Sequence, residues 1–226
     1  REVLRVLREL SAMVGDMAVD IQSDLQALTD LDIAMAKARF SKTLNGIRPK
    51  AISGDGKLVA LIQARHPLLQ GEVVPVSMHI GPEWRVLVVT GPNTGGKTAV
   101  MKTVGLFALM YQSGLQIPAA EGSVMPVFDG IYADVGDQQS ILQSVSTFSS
   151  HIQNVVSILG LATSSSLVLF DELGTGTDPE EGAALAQGVL KYLSERDVTT
   201  IVTTHHRAVA VFAEEFDKSA NASVDL

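Results

Sequence analysis

The chain has 226 residues, 46% of them hydrophobic, no cysteine, and a formal net charge of −8. That length and apolar content suit one α/β domain with an appendage. The missing cysteine excludes disulfides and thiolate metal sites, and no apolar run reaches the roughly 20 residues of a membrane-spanning helix. Residues 1–50 carry eight Lys/Arg and seven Asp/Glu, whereas the remainder carries nine against eighteen. The larger part is therefore a poor electrostatic partner for a phosphate backbone. No signal peptide is visible, and the expected compartment is the cytoplasm. Arg1 enters directly into a helical pattern and the final NASVDL reads as the start of a strand, so both ends are expected to be cuts within a longer protein.

Residues 1 to about 45 contain no proline. Val3, Leu7, Leu10, Val14, Met17 and Ile21 recur at alternating steps of four and three, and the register resumes at Leu28, Leu31 and Met35 with Asp24 as its polar interruption. This is an a/d heptad seam. One unbroken helix of that length would span about 65 Å at 1.5 Å per residue, with Gly15 and Asp16 as the place where it could bend. Such a helix is too long for one small domain to cover. The expectation is an arm over residues 1–46 whose seam needs a second helix or a second subunit, followed by a globular domain over 47–226.

Asn45-Gly46 and Arg48-Pro49 end the helix. Residues 51–83 read as short strands and turns, with Gly54-Asp55-Gly56 turning between AIS and LVALIQA and a strand from Val73 to Ile80. Val86 to Val89 are consecutive apolar residues, which suits a strand buried on both faces. It runs into G-P-N-T-G-G-K-T, the P-loop spacing. The candidate phosphate cradle is Gly91, Pro92, Asn93, Thr94, Gly95, Gly96, Lys97 and Thr98. Glycines let successive N–H groups curl into an anion nest, and the following helix aims its positive end at the same place. Lys97 can reach the β/γ-phosphates, and the Thr98 hydroxyl can ligate Mg²⁺.

Helices are expected over Ala99 to Gln112, closed by Gly114; over Ser140 to Leu159, stopped by Gly160; over Glu180 to Leu193; and in a short piece after His206. Strands are expected over Val127 to Val135, Leu167 to Phe170 and Val198 to Thr204. The alternation implies a mainly parallel sheet with ligands at the strand C-terminal edge. At that edge LVLF ends in Asp171 and Glu172. Asp171 can hold Mg²⁺ through water and Glu172 can orient or deprotonate an attacking water. His205, closing IVTTH, can hydrogen-bond a γ-phosphate or hold the lytic water, and His206 has the weaker claim. SVSTFSSHIQN (Ser144 to Asn154) and GTGTDPEEG (Gly174 to Gly182) are rich in Ser, Thr and Gly, which suits either a site or plain helix caps.

GPNTGGKT, STFSSHI, LVLFDELGTGTDPEEG and TTHH, in this order, resemble the ATPase domain of the MutS family, a branch of the ABC ATPases, over about residues 30–226. ADVGDQQSILQSVSTFSSHIQN and GTGTDPEEGAAL are more similar to the bacterial paralogue branch, sometimes called MutS-two, than to mismatch-repair MutS. The latter usually has an arginine before STF, where this chain has Val145. The resemblance implies that the long helix is the end of a lever. It also implies that Ser146 and Thr147 complete the nucleotide site of a partner subunit, and that Gly174 to Pro179 cross that interface. Two copies would then sandwich two ATP molecules as a homodimer. Val73 stands where mismatch-repair relatives often place an adenine-stacking aromatic, so the resemblance carries no such ring here.

The reading that results is Mg²⁺-dependent ATP hydrolysis, with Lys97, Glu172 and His205 catalytic and Thr98 and Asp171 on the metal. Members of the paralogue branch are associated with branched DNA, suppression of recombination and stalled or collided ribosomes. Branched DNA or ribosomal RNA is therefore the nucleic-acid partner implied for the whole protein, with weak binding by this part. Such members usually carry a C-terminal nuclease-like domain, which this stretch lacks. The alternatives are an ATP-dependent dimerisation module with little hydrolysis, a mismatch-repair ATPase, another ABC machine (against which the missing LSGGQ-like signature argues), and a direct nucleic-acid binder.

Overall fold

A computed structural model describes residues 1–51, 57–92, 95–135 and 146–224, with the side chains of 146–148 left aside. It comprises two compact units, Arg1–Leu44 and Asn45–Leu226.

The first unit is α1 (Glu2–Asp16) and α2 (Ala18–Thr43). The expected unbroken helix is thus divided at Met17, where φ −100° and ψ 6° leave the helical region. Gly15 carries the largest backbone entropy of any residue and Asp16 prefers to bond its own backbone outside helices. The Met17 N–H turns back to the Val14 carbonyl at 3.2 Å, and Ile21 N–H resumes the helix on the Met17 carbonyl at 3.0 Å. The seam residues from Val3 to Met35 are exposed. Arg5 braces the first turns, with its guanidinium on Glu2 and, at 2.6 Å, on Glu9.

The second unit begins with an antiparallel ribbon of β1 (Val59–Ala64) and β2 (Val76–Ile80). The expected turn at Gly54-Asp55-Gly56 lies outside the described residues. β2 starts later than expected because Pro75 has no N–H to give a ladder. The main sheet is five-stranded and wholly parallel, in the order β4 (Ile131–Asp134), β5 (Leu167–Phe170), β6 (Thr199–Thr203), β3 (Val86–Thr90), β7 (Ser219–Ser223). β4 is shorter than the expected Val127 to Val135. The Gln112 side chain takes both backbone groups of Phe128, at 2.9 and 3.1 Å. Asp129 meanwhile accepts the hydroxyls of Thr163 and Ser166, which hold its carboxyl below the usual range.

Helices α3 (Lys97–Gln112), α4 (Ser146–Leu161), α5 (Pro179–Glu195) and α6 (Arg207–Glu215) flank the sheet. α3 ends at Gly114 (φ 73°) in a Schellman pattern. Leu115 N–H reaches the Met110 carbonyl and Gly114 N–H the Tyr111 carbonyl, both at 2.9 Å. Gly160, expected to stop α4, lies inside its last turn. Residues 140–145, where that helix was expected to begin, lie outside the described residues. Asp178 caps α5 by accepting the Glu180 N–H at 2.9 Å, with Pro179 in the first turn.

Alternating side chains of the buried strands divide the core. Val86, Val88, Val168, Phe170 and Val202 pack with Val155 and Ile158 of α4, Leu190 and Leu193 of α5, and Val209 of α6. On the other face α3 lies close on β5: a Cβ at Gly105 would stand 2.6 Å from Leu169 Cδ1. Leu190, with no exposed surface, sits amid that helical layer. Leu190→Ala should lower unfolding free energy by about 2–5 kcal/mol with an unchanged denaturant slope, measured by urea denaturation.

Candidate functional site

β3 is buried because both its faces are covered, and it delivers the chain to Gly91 at the C-terminal edge of the sheet. Gly91 has φ 130°, and a Cβ there would stand 2.7 Å from the Val224 carbonyl oxygen. Glycine is therefore required by both the dihedral and the space. Gly95 N–H donates to the Pro92 carbonyl at 3.0 Å, so the chain curls back on itself. Asn93 and Thr94 lie outside the described residues. Gly96, in the left-handed region at φ 81°, precedes α3. The N–H groups of that first turn and the positive end of the helix dipole lie at the loop. Lys97 is 3% exposed, and its ammonium donates to the Gly91 carbonyl at 2.6 Å.

Asp171 is the first residue beyond β5. Its Oδ1 accepts the Thr98 hydroxyl at 3.0 Å and the Thr203 hydroxyl from the end of β6. Its N–H donates to the carbonyl of Asp134, the last residue of β4, at 2.9 Å. Glu172 follows with φ 51°, and its N–H donates to Thr203 Oγ1 at 2.9 Å. Its carboxylate Oε1 stands 3.7 Å from His205 Nε2. The two side chains are 23% and 40% exposed, so both reach water from the same edge. His206 lines a cleft of about 260 Å³ with Thr90, Gly91, Thr204, His205, Arg207 and Ala210.

Five of the expected residues therefore come together: Lys97, Thr98, Asp171, Glu172 and His205. Mg²⁺ usually takes one or two protein oxygens and completes its shell with water and substrate phosphates. The Thr98 hydroxyl and Asp171 carboxylate are a donor pair of that kind. In the segment just after β1, His66 is held below its usual imidazole range by burial and by the Lys102 ammonium.

The polar stretches fall at the same edge. Ser146 opens α4 and Thr147 follows. One turn further, His151 Nδ1 lies 2.9 Å from Asp134 Oδ2, and Asn154 Nδ2 donates to Asp134 Oδ1 at 2.8 Å. β5 and β6 stand between β4 and β3, so β4 lies about 14 Å across the sheet from the strand that carries the P-loop, at roughly 4.8 Å per strand. The loop from Gly174 to Pro179 is closed by its own backbone. Gly174 and Gly176 both have φ 89°. Thr175 N–H returns to the Glu172 carbonyl at 3.1 Å.

Three features were not read from the sequence. Thr203 looks like one more β-branched strand residue. Asp134 looks like a plain strand end. Gly182 looks like a tolerated helix glycine, yet a Cβ on it would stand 2.0 Å from the Gly174 carbonyl oxygen. A hydroxyl repeated beside the carboxylate pair, in TTH, was the available signal for Thr203.

Residues 87–226 match the family described as MutS domain V. Over 226 residues the chain is 48% identical to Endonuclease MutS2 of Caldicellulosiruptor bescii and 51% identical to Endonuclease MutS2 of Pelotomaculum thermopropionicum. Each match takes in all of this chain and 28% of the relative. It is 49% identical to Endonuclease MutS2 of Shouchella clausii, covering 29% of that protein. The chain thus spans less than a third of the length of these relatives.

The glycine contact gives a test of the loop. Gly182→Ala should destabilise the protein by roughly 1–3 kcal/mol, because backbone rather than a flexible side chain occupies the space. Gly188→Ala, in the same helix with nothing within 4 Å of a Cβ, should instead raise stability by up to about 1 kcal/mol. Paired thermal and urea melts measure both.

Proposed function

Since the chain belongs to the MutS domain V family, we propose that it hydrolyses ATP to ADP and phosphate and that two copies complete each other's nucleotide sites. The observation that carries the hydrolysis is the convergence of Thr98, Asp171, Thr203, Glu172 and His205 at the ends of β3, β5 and β6. Gly91, Pro92, Gly95 and Gly96 would cradle the phosphates, and Lys97 would offset their charge. Thr98 and Asp171 would hold Mg²⁺, which would neutralise charge on the transferring phosphoryl group. Glu172 takes a proton from the attacking water as its oxygen bonds the γ-phosphorus and the bond to the leaving ADP breaks. His205 stands close enough to Glu172 to hold the same water or a γ-phosphate oxygen.

The pairing of copies is supported by the sheet order. α4 begins near the end of β4, with β5 and β6 lying between β4 and β3. That separation supports the reading in which Ser146 and Thr147 serve a nucleotide held by another copy, and the Gly174–Pro179 loop belongs to the same edge. Binding of two ATP molecules would close a homodimer, and hydrolysis would reopen it.

The whole protein would use this cycle on branched DNA in recombination control, or on stalled ribosomes through their RNA, in the cytoplasm. Residues 1–46 would be the end of the lever and 47–226 the ATPase domain. The acidic character of residues 51–226 supports weak, salt-sensitive nucleic-acid binding by this part alone. Among the described residues no helix is long and apolar enough to cross a membrane.

Glu172→Ala should keep ATP affinity and lose hydrolysis by about 10²-fold or more; unchanged turnover would remove Glu172 from its role. Lys97→Ala should weaken ATP binding by about tenfold or more, from loss of charge-assisted hydrogen bonds. Phosphate release per subunit should rise with protein concentration. Tight ATP binding with no release at any concentration would turn the reading into an ATP-dependent dimerisation module.

A further inference from the structure

We propose that Asp134 is a positioning residue that aims the first turn of α4 at the partner copy's nucleotide, acting through His151 and Asn154. This rests on the composite-site reading above and adds to it the device that sets its geometry.

Asp134 ends an edge strand, where most residues would serve. Its side chain is nevertheless 12% exposed, and a carboxylate withdrawn from water must have its oxygens satisfied. Both are: Oδ2 lies 2.9 Å from His151 Nδ1, and Oδ1 accepts the Asn154 amide at 2.8 Å. His151 and Asn154 are three residues apart and so lie on one face of α4, toward the strand end. Deeper along the helix, Val155 and Ile158 sink into the core, which fixes that half by packing. The Asp134 pair fixes the half nearer Ser146.

The lever arm makes this contact matter. Ser146 lies nine residues before Val155, about 13 Å at 1.5 Å per residue. A tilt of about 10° about the core anchor would move the first turn by about 2 Å, and displacements of about 1 Å can cost on the order of 10²-fold in rate. The same residue also faces the other way. Its main-chain carbonyl takes the Asp171 N–H, so one residue joins the carboxylate of the copy's own site to the helix that serves its partner. Substituting the side chain breaks the second link and spares the first.

The test uses the full chain. Asp134→Ala should lower kcat by about tenfold or more while ATP affinity stays within roughly twofold. Co-expressed with Lys97→Ala subunits, it should regain phosphate release well above either parent. Such a heterodimer has one site that joins an intact P-loop to an intact α4. A control pairs Lys97→Ala with Ser146→Arg, whose bulk obstructs the first turn outright. If the control regains activity and the Asp134 pairing does not, Asp134 acts only within its own copy and the inference is overturned. If neither regains activity, the composite-site reading has failed and this inference with it. Unchanged kcat in Asp134→Ala also overturns it. Should that variant not fold, the double variant His151→Ala/Asn154→Ala, which cuts the contact from the helix side, should show the same kcat loss and the same rescue.

Discussion

The site depends on one carboxylate. Asp171 gathers hydroxyls from the start of α3 and the end of β6 onto one oxygen, while its own N–H is tied to the end of β4. Strands that are neighbours in the sheet are far apart in sequence, so these contacts form only when the parallel register is complete. Leu169 stands opposite Ile201 and Phe170 opposite Val202, while Val89 stands opposite Thr203. A slip of one residue would turn every buried strand side chain to the wrong face and would also carry Thr203 away from Asp171. The register that buries the core and the one that assembles the site are the same, so each protects the other.

Sheet order adds a second constraint. The P-loop follows β3, which lies between β6 and β7, whereas α4 leads into β5 and bonds to the end of β4. Two strands separate these regions within a copy. A parallel α/β sheet can bring several strand ends to one edge, but it cannot fold that edge over onto itself. In the pairing proposed above, groups spread along the edge are joined by a second edge laid against them.

Much of this was legible in the residues. LVLF is bounded by Ser166 and Asp171 and forms β5 without a residue to spare, because an apolar run between polar punctuation leaves one possible strand. The P-loop and the carboxylate pair were legible for the same reason, since local chemistry and local geometry coincide there. Apart from Pro75 before β2, the misreadings were nonlocal or subtle. Val127 and Phe128 look like strand, but a glutamine 16 residues earlier occupies the Phe128 backbone. The seam of the long helix runs through Met17 unbroken, while the backbone beneath it turns. Asp134 carries no signal of its own and Thr203 only the repeated hydroxyl of TTH, because their importance lies in what the folded sheet sets beside them.

Glu172 sits at φ 51°, a conformation that disfavours any residue with a Cβ by about 1 kcal/mol or more. Glycine would relieve that strain and would retain the main-chain N–H that meets Thr203. Folding and the chemistry proposed for Glu172 therefore pull in opposite directions at this position. A screen that rewards heat tolerance alone would favour losing the acid, and under the role proposed for Glu172 the variants selected that way would be sturdier and idle.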